Sequence, residues 1–312
     1  MKPFLPVGEL ARDDRFHTVT MQERASDPRG SARQAATEQS RRSSNRLTPS
    51  RKDATDAARA LMHGILVGEV QALEGAGRTC FDFETARTPP GSTGADAVPF
   101  DLKLDMARQC WDEARHVEIS AHLSSWMGTG IGDYAENTVL FEAACSRDPV
   151  LRLAGVNRAL EGLAIDVFTT MKEFGDIAGD PVLEFCEDWM LADEVTHVKM
   201  GSDWLRRLTA TDPERRKAAL EFQQVVDKLF SNAGARSDSD ESVIGLARRF
   251  RELAGFSQDE IDEIAAVSAV ALDEAKEHRR RERAEAIAAL ANAALADATL
   301  ADAALATERV AH

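Results

Sequence analysis

The chain has 312 residues, with 38 Lys/Arg against 53 Asp/Glu for a formal net charge of −15, and a single Tyr. Ala and Leu are abundant, a composition that favours an all-α protein. It contains no run of 18 uncharged apolar residues, so no membrane-spanning helix is expected. An acidic body repels phosphate backbones, which argues against nucleic acid as the main partner.

The charge is uneven. Residues 1–52 hold 11 Lys/Arg against 6 Asp/Glu, with few large apolar side chains, and read as a disordered basic arm. This arm is the one stretch suited to RNA. The opening "MKPFLPVGELARDDRFH" places acidic residues where a secretion signal needs an apolar run, so export is not expected. Four Cys (80, 110, 145, 186) show no paired spacing. Reduced thiols in a cytoplasmic protein are therefore expected.

From Asp53 the texture changes. Residues 54–80 carry an apolar stripe through Leu61, Ile65, Ala72 and Leu73 and read as a long helix. The Pro/Gly-rich "RTPPGSTGADAVP" marks a loop before a second helix over about 100–126, closed by "GTGIGDY". A shorter helical piece over 136–146 precedes a third long helix at about 150–174. After the turn "GDIAGD", Pro181 suits the first turn of a fourth, about 181–208. Four long helices with short or medium connections predict a bundle over residues 53–210.

Residues 211–312 read as a helical extension. One helix is expected at 213–231, then a connector, then helices in "SVIGLARRFRELAGF" and "SQDEIDEIAAVSAVALDEAKEHRRRER". Ser257 and Glu260 are spaced as a capping box that opens the last of these. The cluster "KEHRRRER" reads as a solvated helix face. The pentads "ANAAL ADATL ADAAL" (291–305) turn a helix by about 500° per repeat, so their Leu residues spiral instead of forming a stripe. A loosely attached helix is expected there.

The core stripes of the four long helices carry ionisable residues. Glu113 and His116, three residues apart, share one face of the second helix, and Glu194 and His197 repeat the arrangement on the fourth. Glu69 and Glu161 sit singly on the stripes of the first and third. One Glu from each of two helices plus Glu-x-x-His from each of two others is the ligand set of a carboxylate-bridged dinuclear metal site. Burying one unpaired charge costs several kcal/mol even after relaxation. Two divalent cations would neutralise the four carboxylates. Oxygen and imidazole ligands without thiolate favour iron or manganese over structural zinc. Asp112 and Asp193, each directly before a ligand Glu, are candidates to accept the second ring proton of the imidazoles. His63, His122, Glu74, Glu118 and Asp166 lie about 120–140° off the ligand face and are expected to point elsewhere. Trp111, Trp189 and Trp204 read as core.

Residues 55–256 resemble the ferritin-like di-iron carboxylate superfamily. "DEARH" matches its Asp-Glu-x-Arg-His signature, whereas "DEVTH" has Thr196 in place of the Arg. More narrowly, "LMHGILVGEVQALE", "DEARHVEI", "EGLAIDV", "DEVTHVKMGSDWL" and "LARRFRELAGF" resemble a bacterial ferritin-like family of largely unassigned function, itself similar to di-iron tRNA hydroxylases. The resemblance implies a ferritin-like four-helix bundle with additional C-terminal helices. It also implies two Fe ions (or a Mn/Fe pair) held by Glu69, Glu113, His116, Glu161, Glu194 and His197, with O2 as co-substrate.

The function expected from these features is an O2-activating oxygenase or oxidase of a small metabolite. Such an enzyme would hydroxylate a C–H bond or oxygenate an amine, and would draw on an external electron donor. The alternatives are a tRNA-modifying hydroxylase and a ferroxidase or iron-storing protein. A radical generator would need a Tyr beside the metals, and Tyr134 falls in a loop. The C-terminal helices could close the bundle's open end or form a homodimer interface.

Overall fold

The computed structural model describes residues 15–16, 18–20, 54, 56–85, 97–231, 244–270, 272–274, 277 and 280–281. The Ala-rich repeats and most of the N-terminal arm lie outside these, as does most of "KEHRRRER". The chain is all-α, with four two-residue strands among the described residues.

In chain order, β1 (Thr18–Val19) is followed by helix α1 (Asp56–Asp82), the short strands β2 (Glu84–Thr85) and β3 (Ala97–Val98), and helix α2 (Phe100–Met127). Strand β4 (Glu136–Asn137) and helix α3 (Val139–Ala144) lead to the third long helix, α4. It runs through an α-turn (Pro149–Arg152), a π-helical segment (Leu153–Leu160) and an α-helix (Glu161–Ala178). Then come α5 (Pro181–Leu208), α6 (Pro213–Ser231), α7 (Arg248–Leu253) and the helical residues 258–270, here α8.

Local chemistry sets the ends. Gly128 closes α2 and Gly179 closes α4, both in the left-handed region at φ 78° and 64°, which other residues adopt only with strain. Asp148 caps α4 by accepting from Val150 N, and Asp180 caps α5 by accepting from Val182 and Leu183 N. Pro149 and Pro181 take the first helical positions, where the missing N–H is no loss. The capping box at Ser257 forms as expected, with Ser257 N donating to Glu260 Oε2 at 2.8 Å and Glu260 N to Ser257 Oγ at 3.3 Å.

The helices α1 and α2 pack together, as do α4 and α5, and contacts of α2 with α5 and of α1 with α4 close the bundle. Close approach is built in at Gly201. An added Cβ there would sit 2.4 Å from Asn157 Cβ, so only Gly lets α5 meet the π segment.

Four departures from the sequence reading have identifiable causes. Thr18 and Val19, within the expected disordered arm, pair in parallel with Glu136 and Asn137. That pairing also shortens the expected 136–146 helix to Val139–Ala144. The helix expected in 242–256 is reduced to Arg248–Leu253, because the backbone before it is tied to α4: Gly245 N donates to Thr170 Oγ1 and Ala247 N to Asp166 Oδ1. Trp111 is exposed, not core; two residues before Glu113, it lies about 200° around α2 from the inward stripe.

Helices α6 and α7, after residue 210, pack closely on the bundle. Phe222 of α6 lies against Gly155, where a Cβ would be 2.5 Å from its ring. Arg251 of α7 is fully buried and ion-paired with Asp166, Nη2 to Oδ2 at 2.6 Å. Asp166 thus points away from the ligand stripe, as its offset predicts, but into protein.

Candidate metal centre

All six candidate ligands converge. Glu69, Glu113, His116 and Glu194 bring one ligand atom each to within 4.8 Å of one another, and Glu113, Glu161, Glu194 and His197 do the same. Glu113 and Glu194 belong to both groups, so two adjacent ions could share them as bridges while Glu69/His116 and Glu161/His197 serve one ion each. All six are buried, Glu113, His116, Glu194 and His197 completely. Helical periodicity is the cause, since a three-residue step keeps Glu and His on one face and each stripe points at the bundle axis.

Each imidazole shows one nitrogen to the carboxylates and the other to an Asp. His116 Nδ1 lies 3.1 Å from Glu69 Oε2, 3.2 Å from Glu113 Oε2 and 3.3 Å from Glu194 Oε1, while its Nε2 is 3.3 Å from Asp193 Oδ2. His197 Nδ1 lies 3.1 Å from Glu113 Oε1, and its Nε2 is 3.3 Å from Asp112 Oδ2. The two Asp residues expected beside the imidazoles are therefore there, but crossed. Asp112 of α2 meets the His of α5, and Asp193 of α5 meets the His of α2. Arg115 ties the pair together by donating to Asp112 Oδ1 and, at 3.4 Å, to Asp193 Oδ2, with its guanidinium 4.7 Å from the Trp189 ring. Thr196, where the second Arg of the motif is missing, donates to the Ala192 carbonyl on an exposed face.

The electrostatics fit a cation in the cluster. Burial pushes Glu69 and Glu161 well above the usual carboxylate range, and the charges of Glu113 and Glu194 push the same way. Burial also works against a charged Glu113, but the imidazole contacts of His197 and His116 outweigh it and hold this carboxylate low. Burial disfavours both imidazolium ions, yet the surrounding carboxylates raise His116 and His197 far above their ordinary values. Protons thus do the neutralising that divalent ions would do, and metal uptake would release them. A second observation agrees. Glu113 Oε2, both Glu194 oxygens and His197 Nδ1 are buried without a hydrogen-bond partner. His197 Nδ1 is close to Glu113 but off the line a hydrogen bond requires. Atoms buried in this way are costly unless something binds them, and oxygen with imidazole nitrogen is a donor set for iron or manganese.

The helices supply three further polar groups that sequence reasoning passed over. Gln109, four residues before Glu113, donates to Glu161 Oε1 at 2.8 Å and Glu113 Oε1 at 3.1 Å. Asn157, four before Glu161, donates to Gln109 Oε1 at 2.7 Å. Both lie one turn from a ligand on the same stripe, which was a legible signal. Glu187, seven residues before Glu194, is fully buried, and neither oxygen has a hydrogen-bond partner; burial raises it well above the ordinary range. His63 is buried outside both ligand groups, with burial lowering it to about 4, and its ring meets Tyr134 edge-on at 5.5 Å. Tyr134 donates to Asp56 Oδ1 at 2.7 Å, at the N-terminal end of α1, whereas Glu69 sits at the middle of that helix. His122 and Glu118 are exposed.

A cavity of about 280 Å³ lies between α1 and α4, with Glu69 and Glu161 among its lining residues. Its other walls are mostly apolar, among them Ile65, Leu163, Val167 and Phe168.

No helix among the described residues is long and apolar enough to cross a membrane, and the four cysteines are free thiols. Comparison with curated proteins and with solved structures returned no match. The sequence profile of a family described as "Protein of unknown function (DUF455)" matches residues 7–262. With well over half of its length matched, the chain belongs to the DUF455 family.

Proposed function

We propose that this protein is a ferritin-like, non-heme di-iron oxygenase or oxidase that uses O2 on a small metabolite. The observation that carries the reading is the pair of buried Glu/His groups sharing Glu113 and Glu194, beside a cavity that reaches two of the same carboxylates.

The residues present fit the two ions. Glu69 and His116 would hold one, Glu161 and His197 the other, and Glu113 and Glu194 both. When bound, a ferrous pair supplies electrons to reduce O2 and Lewis acidity to hold it. The chain's own residues do the rest. Asp112 and Asp193 accept from the imidazole Nε2–H, which leaves Nδ1 unprotonated toward the cluster and fixes the ring planes. Gln109, itself held by Asn157, donates to Glu161 and Glu113 and so fixes which oxygens of these carboxylates stay free. The apolar wall formed by Phe168, Ile65 and Val167 limits water beside the site, so that the oxidant meets substrate. Electrons for each further turnover would come from an external donor.

The test is anaerobic loading with ferrous iron followed by mixing with O2, with metal stoichiometry and O2 uptake recorded. Saturation at two irons per chain, with rapid O2 uptake that Glu113→Ala abolishes, supports the reading. Uptake of many irons per chain would instead indicate iron storage, and binding of none would overturn a metal centre altogether.

A further inference from the structure

The cavity between α1 and α4 says more about the substrate than the net charge does. Among its lining residues only Glu69 and Glu161 carry charge. These are the terminal ligands of the proposed metal centre, so their charge is already matched. The Gln71 amide is engaged as well: Nε2 donates to Glu136 Oε1 at 3.0 Å and to the Asn137 carbonyl at 2.7 Å, and Oε1 accepts from Phe141 N at 3.0 Å. Among the described residues, no Lys, Arg, His or Asp lines the space. A charged head group entering it would lose its water and find no counter-charge, which disfavours its binding.

Two glycines shape the wall. Gly64 and Gly68 sit one turn apart on α1 and both line the cavity. A Cβ added at either meets nothing within 4 Å, so close packing does not explain them. Glycine inside a helix is less stable than alanine, yet α1 carries two at its cavity face. Exposure falls along this line: Gly64 is exposed, Gly68 half-buried and Glu69 buried. The order describes a path from solvent to the carboxylates.

We propose that this cavity binds a neutral, apolar small molecule, which passes Gly64 and lies along Gly68 toward Glu69 and Glu161, and that the two glycines set the width allowed. The inference rests on the di-iron reading for the neutralisation of the two carboxylates. With about 280 Å³, the space lies just below the roughly 300–1,000 Å³ usual for small-molecule sites, which favours a compact substrate. The acidic exterior, which by itself would suit a cationic amine, is overruled by the uncharged lining at the site.

The experiment uses the full chain loaded anaerobically with ferrous iron, with the iron counted in each sample. Calorimetric titration then compares 1-hexanol, hexylammonium and hexanoate, one carbon chain with three head groups. The expected result is hexanol binding at least about tenfold tighter than either ion. Gly68→Leu should weaken hexanol by about tenfold or more while leaving the iron count unchanged. If Gly68→Leu does not fold, Gly68→Ala, whose Cβ enters open space, is expected to weaken hexanol to a smaller but measurable degree. Preference for either ion, or hexanol binding indifferent to both Gly68 variants, would overturn the proposal. The two readings fail separately: two irons bound without hexanol preference removes the substrate inference alone, whereas hexanol preference without iron removes the metal reading alone.

Discussion

Asp112 of α2 reaches across the bundle to His197 of α5, Oδ2 to Nε2 at 3.3 Å, and Asp193 of α5 returns the contact to His116 of α2. Each Glu-x-x-His pair is therefore oriented by the Asp of the other helix, which couples the two halves of the cluster. Asp112→Asn keeps the size but removes the charge that favours Nε2–H. It should lower metal affinity about 10–100-fold, chiefly for the ion held by His197, and Asp193→Asn should act chiefly on the ion held by His116. Anaerobic metal titrations that resolve two affinities check this; equal losses at both sites for each variant would contradict the crossed arrangement.

Arg115 serves both Asp residues, whereas Thr196 turns to its own helix backbone. Arg115→Leu is accordingly expected to weaken both affinities together. Thr196→Ala is expected to leave both within about twofold, because an exposed side chain bonded to its own backbone contributes little. The same titration reads both variants.

The pairing of Arg251 with Asp166 anchors the C-terminal helices to α4 in a fully buried site. Arg251→Met deprives the buried carboxylate of this cation and should cost about 3–5 kcal/mol in denaturant unfolding. Replacing both partners, Arg251→Met with Asp166→Leu, should recover most of that loss, since a well-packed apolar pair is often as stable as a buried ion pair. A double variant no better than the single one would show that the hydrogen bond Asp166 Oδ1 accepts from Ala247 N, just before α7, matters more than the charge.

Glu187 carries a pH signature of its own. Burial raises it well above the ordinary glutamate range, so at intermediate pH the folded state holds a proton that the unfolded state has lost. Stability contributed by this group is complete below about pH 4.5 and declines as pH rises toward the folded value. The slope is about 1.4 kcal/mol per pH unit within that window. Glu187→Gln lacks this slope, and its stability relative to wild type should grow from pH 5 upward at equal metal loading. Parallel stability–pH curves for the two proteins would rule out a protonated Glu187.

How much of this was legible in the sequence follows from periodicity. The four long helices and the six convergent Glu and His residues could be read because three- and four-residue steps place side chains on one face whatever the partner helix is. What could not be read depends on partners. The crossing of Asp112 and Asp193 needs the relative placement of α2 and α5. The π segment Leu153–Leu160 arises where Gly155 meets Phe222 and Asn157 meets Gly201, long-range contacts with no local signature. Gln109, Asn157 and Glu187 are a different case. They sit four or seven residues before ligands, on stripes already identified, and the same periodicity applied without regard to residue type would have found them.

On the proposed di-iron reading, Glu113 and Glu194 would be shared by two metal ions. Crystals of the protein loaded anaerobically with ferrous iron, measured above and below the iron absorption edge, test it most directly. Two anomalous peaks about 3.5–4 Å apart are expected, both touching Glu113 and Glu194, one capped by Glu69 and His116 and the other by Glu161 and His197. A single peak, or iron bound elsewhere with these six side chains bonded only to each other, would contradict it.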